Sequence, residues 1–205
     1  GHQYLSINRD MSITEVISAT GQNTKDASIV RTIGRPQYPR LTKLLVLVDG
    51  SLEMKPFLPQ IADALTGSED VLMTTPEFVS DRLKFIKHPK ELATFDAIGG
   101  QDDSQLVLEY VRVSGDINAH QKRFECATLW IHGAQPLATD NAKVKELLNK
   151  SANPVLFDMQ VADGPNEILS DLPSAPGLAT VIRSGTVGED LAYFIDSIRD
   201  KSKEV

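Results

Sequence analysis

Residues 43–54, Lys-Leu-Leu-Val-Leu-Val-Asp-Gly-Ser-Leu-Glu-Met, decide how this chain folds. Five of the first six residues are apolar, and Asp49-Gly50-Ser51 follows them directly. A continuous apolar run is typical of a parallel strand that is buried on both faces of a sheet. Ligands of such sheets bind in the crevice at the carboxyl ends of the strands. We therefore interpret Asp49, which a tight turn and a helix follow, either as part of a site or as the remnant of one.

Beyond residue 40, short apolar runs alternate with stretches that have helical spacing. The runs predict strands at 44–48, 71–74, 127–131, 155–161 and 178–182. The spacing predicts helices over 57–65, 103–113 and 140–148, a short helix from 164, and a final helix that opens at the capping box 186–189. This alternation predicts an α/β domain with a mostly parallel central sheet and helices on both faces, a Rossmann-like architecture.

The first 40 residues differ from the rest of the chain. They are polar, with scattered β-branched residues, and we interpret 1–40 as an N-terminal arm preceding a domain over 41–205. Gly1-His2 has the look of a tag remnant, so we expect a soluble domain excised from a larger or membrane-anchored protein. Residues 29–33 are a candidate for a strand added to the sheet.

Charge and composition exclude some classes of function. The chain of 205 residues carries a net charge of -7 and no basic cluster, so we expect no nucleic-acid partner. It has no apolar run long enough to cross a bilayer, so we expect no membrane insertion within it. The single cysteine, Cys126, excludes an internal disulfide and is predicted to be a small buried residue. Compartment and oligomeric state stay open.

Sequence motifs of common enzymes are missing. The chain has no phosphate-binding P-loop, no dinucleotide-binding glycine motif and no nucleophile elbow. We therefore predict that it is not an enzyme. The surviving enzymatic alternative is a hydrolase or phosphotransfer enzyme with Asp49 as nucleophile or metal ligand. That alternative lacks a recognisable base or lysine, and Ser51 stands where a second Asp would be needed.

Three segments carry a resemblance to a known family. Asp49-Gly50-Ser51, Gly99–Asp103 and Trp130–Gly133 resemble the three motifs of the metal-ion-dependent adhesion site of von Willebrand factor A domains. The resemblance extends over residues 41–201 in the order and spacing of elements. It implies a von Willebrand factor A-type fold. In that family a bound metal completes its coordination with an acidic side chain of a partner protein.

The chain departs from the family at three of its ligand positions. Glu53 replaces a serine, Gln101 holds the threonine position, and His132 holds an aspartate position. The resemblance therefore implies a decayed metal site in a non-catalytic module for protein interaction or assembly, with another protein as partner and no cofactor. The implied partner-binding residues lie on the same loops: Ser51, Leu52, Glu53, Gln101, Asp102, Asp103 and Gln135.

Two alternatives to this hypothesis stay open. In the first, an altered ligand set holds a divalent metal, Mg²⁺ or more suitably Mn²⁺ or Zn²⁺, in a metal-dependent adhesion module. That set comprises Asp49, Ser51, Glu53, Asp103 and His132. In the second, Asp49 and Asp103 only cap helices and His132 makes a hydrogen bond in a turn. Asp163 either lines the same crevice or caps a turn, and Trp130 is predicted to be a core residue.

Overall fold

The computed structural model describes the chain in ten stretches. They are residues 27–33, 41–69, 72–73, 88–100, 102–136, 141–150, 155–162, 164–169, 180–183 and 187–199. The predicted capping-box residue Thr186, Gln101, Asp163 and most of the predicted arm lie outside these stretches. Among the helices described, none is long and apolar enough to cross a bilayer.

Six strands form one sheet in the described part of the chain, in the order β3-β2-β4-β5-β1-β6. Strands β3, β2, β4 and β5 pair in parallel, and β1 pairs antiparallel with both β5 and β6. The carboxyl ends of β2, β4 and β5 therefore meet at one edge of the sheet. The strands are β1 Ala27–Ile33, β2 Lys43–Val48, β3 Leu72–Met73, β4 Cys126–His132, β5 Leu156–Gln160 and β6 Thr180–Arg183.

In the described stretches, four helices cover the two faces of this sheet: α1 Leu58–Thr66, α2 Ser104–Gln121, α3 Asn141–Lys150 and α4 Val187–Ile198. Short 3-10 turns occupy Leu52–Met54 and Pro89–Thr94. Alternate residues of β2 enter two separate cores, because successive side chains of a strand point to opposite faces. Val46 and Val48 pack with α1 and α4, whereas Leu45 and Leu47 pack with α2 and α3. The expected α/β class is confirmed.

Several element boundaries differ from the predictions. Helix α2 continues to Gln121 rather than ending at Val113, because its buried face goes on with the polar residues Ser114 and Asn118. Residues 164–169 form turns instead of the predicted short helix. The Asn166 side chain accepts a hydrogen bond from the backbone N–H of Leu169 there, at 3.2 Å, which favours a turn over a helix.

Cys126, the first residue of β4, is fully buried as expected. Burial raises the pKa of its thiol to about 12. The side chain is therefore a neutral, small packing residue at neutral pH, because thiol reactivity requires the thiolate.

Candidate functional site

Six buried polar side chains gather at the carboxyl edge of the sheet, and we call them the carboxyl-edge cluster. Each of them is at most 4% exposed. They come from the ends of β2 and β4, the middle of β5, and the loops before α2 and after β4. The cluster comprises Asp49, Ser51, Asp103, His132, Gln135 and Asp158.

Asp49 is the residue at which β2 meets this cluster. Its backbone N–H donates to the carbonyl of Ile131 at 2.8 Å, which prolongs the pairing of β2 with β4. Its carboxylate accepts hydrogen bonds from the Ser51 N–H at Oδ1 and from the Gln135 amide at Oδ2, each at 2.8 Å. Burial raises the pKa of Asp49, and the Ser51 hydrogen bond and the charge of His132 offset part of that rise.

Gln135 connects Asp49 to the loop that precedes α2. While its Nε2 donates to Asp49, its Oε1 accepts from the Asp103 backbone N–H at 3.2 Å. Its own backbone is fixed by the Pro165 carbonyl and by the Glu167 N–H, at 2.7 and 2.8 Å. One fully buried side chain therefore holds three loops in register.

His132 and Asp158 form a buried pair between β4 and β5. Nε2 of the imidazole bonds to Asp158 Oδ1, and Nδ1 lies 2.6 Å from the Gly133 carbonyl oxygen. Burial by itself lowers the pKa of His132, but the charge and hydrogen bond of Asp158 outweigh it and raise that pKa. Both ring nitrogens face acceptors, and only the protonated imidazole can donate from both. This geometry favours the protonated imidazole, in the same direction as the raised pKa of His132.

Trp130 is buried as predicted, but it also has a polar role. Its indole Nε1 donates to Asp103 Oδ2 at 2.7 Å. Its ring stacks on His132, with centroids 3.7 Å apart and planes inclined by 20°.

Asp103 stands at the N-cap position of α2 without a side-chain cap, and Asp102 instead accepts the Ser104 N–H at 3.0 Å. The expected capping role thus falls to Asp102.

Glu53 lies at the rim of the cluster and joins two loops. It is exposed, and its side chain passes next to the Cα of Gly133. Its Oε1 accepts a hydrogen bond from the Ala134 N–H at 2.6 Å. A Cβ at position 133 would lie only 2.1 Å from that oxygen. Glycine is therefore needed at Gly133 for Glu53 to reach its partner.

An exposed surface lies over the cluster, and we call it the loop face: Leu52, Glu53, Asp96, Ile98 and Asp102. Its two loops are tied side by side, because the Leu52 N–H donates to the Gly99 carbonyl at 2.8 Å and the Ile98 N–H to the Gly50 carbonyl at 3.2 Å. Leu52 is 57% exposed and Ile98 49% exposed. Two large apolar side chains therefore face solvent from a braced pair of loops.

The structure brings most of the predicted metal ligands close together. Most of the atoms that would bind a metal, however, form hydrogen bonds to other groups of the chain. The Asp49 oxygens, one Asp103 oxygen and both His132 nitrogens engage other groups of the chain. Within the described residues, no three acidic, histidine or cysteine side chains are grouped so as to hold a metal ion. The arrangement does not fit the near-octahedral shell of oxygens that Mg²⁺ requires.

The same geometry bears on the enzymatic alternative. A nucleophile or general base must reach a substrate atom within hydrogen-bonding distance. Asp49 and His132 are both 0% exposed, and both nitrogens of the imidazole are engaged. In this arrangement neither group is accessible to a substrate.

The sequence pointed to Asp163 at this edge, which lies outside the described residues, whereas the carboxylate that β5 contributes to the cluster is Asp158. Asn166 adds a long contact to the same carboxylate, with Nδ2 3.5 Å from Asp158 Oδ2. The available signal was a carboxylate inside the apolar run 155–161, since an unpaired charge is too costly to bury.

Comparisons with models of protein families, with curated proteins and with solved structures found no match to this chain. Its function therefore has to be argued from the carboxyl-edge cluster and the loop face.

Proposed function

We propose that this chain is a von Willebrand factor A-like, non-catalytic interaction module that binds a protein partner at its loop face without a metal ion. The support is positional: the Asp49-Gly50-Ser51 motif ends a central strand, and the segments resembling the other two motifs lie beside it. The buried polar groups beneath are engaged with one another, which leaves the exposed loops as the surface for recognition.

The exposed pair Leu52 and Ile98 carries this proposal. The fully buried core of a protein interface is more apolar than the rest of the surface, and large exposed apolar patches mark interaction sites. Their two loops are braced by backbone hydrogen bonds, so little ordering entropy is lost on binding. Exposed Asp96 and Asp102 lie on the same loops. The partner that fits is therefore a protein surface with an apolar anchor flanked by lysine or arginine.

The experiment is a selection of short random peptides displayed on phage against the whole chain in the presence of EDTA. We expect selected peptides to combine a large apolar residue with basic neighbours. The double variant Leu52→Ala/Ile98→Ala should bind them roughly tenfold more weakly or worse, because truncating a hot-spot residue costs about 2 kcal/mol or more and a tenfold change corresponds to about 1.4 kcal/mol.

Tyr193 supplies the matched control, because it is 52% exposed but lies on α4 rather than on the loop face. Tyr193→Ala should leave peptide binding unchanged. Equal binding to wild type and to the Leu52/Ile98 double variant would contradict the proposal. Peptides that bind only when Mg²⁺ or Mn²⁺ replaces EDTA would favour the metal-dependent alternative.

A further inference from the structure

We propose that the side-chain amide of Gln135 takes the place of a cation at the carboxyl edge, locking the loops from inside. This inference builds on the metal-independent module proposed above, but it concerns how the site is held together and can fail separately. It starts from a mismatch: the ligand positions of the adhesion site are close together, yet their oxygens are directed at groups of the chain.

The first step is where the amide lies. A cation between these loops would draw the Asp49 carboxylate and the loop before α2 toward one point. Gln135 does this with two hydrogen bonds, donating to Asp49 Oδ2 at 2.8 Å and accepting the Asp103 N–H at 3.2 Å. Both bonds are buried. The amide therefore joins the same two segments that a shared ion would join.

The second step is that the amide is preorganised. Gln135 is 0% exposed, and its backbone N–H and carbonyl are both paired with the segment Pro165–Glu167. These backbone hydrogen bonds fix the main chain of Gln135. A cation would therefore have to displace the Gln135 side chain while its main chain stays in place. An amide NH₂ group is a donor and presents hydrogens to a cation, so it cannot act as a ligand through that end.

The third step is a hydroxyl beside the same carboxylate. Ser51 Oγ is buried and makes no hydrogen bond of ordinary geometry, although it lies near enough to Asp49 to help lower its pKa. A buried polar atom in that condition is unusual. With the amide removed, Ser51 Oγ and Asp49 Oδ2 would both be available to a hard cation.

Thermal unfolding of the whole chain tests the inference, in EDTA and then with Mg²⁺ or Mn²⁺ added. Wild type should unfold at the same temperature in every condition. Gln135→Glu has the same shape but sets a second carboxylate against Asp49. It should unfold several degrees lower in EDTA and recover several degrees with Mn²⁺, because a ligand that binds only the native state stabilises it. Gln135→Ala should show the same response more weakly.

Gln160 provides the matched control. Its amide donates to the carbonyls of Ala162 and Gly164, at 2.8 and 2.9 Å, rather than to a carboxylate. Gln160→Ala should not gain any response to cations.

Either of two results would overturn the inference. One is a rise in the unfolding temperature of wild type when a cation is added. The other is an unfolding temperature of the Gln135 variants that, like that of wild type, does not change with cations. If Gln135→Glu does not fold in EDTA, recovery of its circular dichroism with Mn²⁺ supports the inference and failure to recover overturns it. Peptide selection tests the proposed function separately, because binding of peptides to the loop face in EDTA requires neither the Gln135 variants nor a cation.

Discussion

At the scale of single residues, the most consequential contact is the pair formed by His132 and Asp158. The two side chains are 0% and 2% exposed, and they join neighbouring strands. An ion pair this deeply buried has given up its hydration on both sides. Removing one partner leaves the other charge without water, which typically costs about 3–5 kcal/mol.

We predict that His132→Gln lowers the free energy of unfolding by about 3–5 kcal/mol near pH 6, and that adding Asp158→Asn returns part of it. The folded-state pKa of His132 is raised, so the contribution is complete below the ordinary histidine pKa and fades as pH rises through the folded value. Urea unfolding at several pH values measures it. The exposed His120 is the control, since His120→Gln should change little.

A pH-independent loss in His132→Gln, or a double variant less stable than the single one, would contradict this assignment. The sequence could predict that Asp49 and His132 end two strands at one edge. It could not predict which carboxylate meets the imidazole, because that depends on the register of β4 against β5. The register places Trp130 opposite Asp158 and His132 opposite Gln160.

At the scale of elements, helix α2 is joined to strand β4 by Asn118. This side chain is 1% exposed. Its Oδ1 accepts the backbone N–H groups of Glu125 and Cys126, at 2.9 and 2.8 Å, and its Nδ2 donates to the Cys126 carbonyl at 2.8 Å. The amide thus pairs with the first residue of β4 much as a neighbouring strand would.

We predict that Asn118→Ala destabilises the chain by about 2–4 kcal/mol, because two backbone N–H groups and a carbonyl lose their partner in the interior. Chemical denaturation measures the loss. Asn141→Ala is the matched control, since the Asn141 amide donates to the Glu167 carbonyl in an exposed position and should matter little. Similar losses in the two variants would mean that Asn118 does not join α2 to β4 in this way.

Asn118 also explains why the length of α2 could not be predicted. After Val113 the apolar stripe continues only with the partly buried Ile117, and the fully buried positions of this face are the polar residues Ser114 and Asn118. Apolar periodicity detects only those buried residues that are themselves apolar. The strands were easier to predict, because their burial on both faces appears directly as apolar runs such as Leu44–Val48.

At the scale of the whole molecule, the two edges of the sheet use polar residues differently. At the carboxyl edge the buried polar groups bond to one another, whereas at the amino edge the buried Glu125 pairs with two exposed basic side chains. Glu125 accepts from Arg123 at 2.7 Å and pairs with Lys43 at 3.3 Å, and its own side chain is 5% exposed. The hydrogen bond from Arg123, more than the pairing with Lys43, lowers the pKa of Glu125.

We predict that Glu125→Gln is less stable than wild type at neutral pH and that the difference disappears in acid. The lowered folded-state pKa means that the ionised carboxylate stabilises the fold above the ordinary glutamate pKa and ceases to do so as pH falls through the folded value. Acid titration of urea-unfolding midpoints for both proteins tests this. A difference that persists in strong acid would assign the effect to shape rather than charge.

The stacking of Trp130 on His132 has a practical consequence. Trp130 is the only tryptophan in the sequence, so the long-wavelength fluorescence of this protein arises next to the carboxyl-edge cluster. The indole stacks its face on the His132 ring and donates from its edge to Asp103. Its emission should therefore change with the charge of His132 and with the position of Asp103. Changes at this edge of the sheet can thus be followed by intrinsic fluorescence, without an attached label.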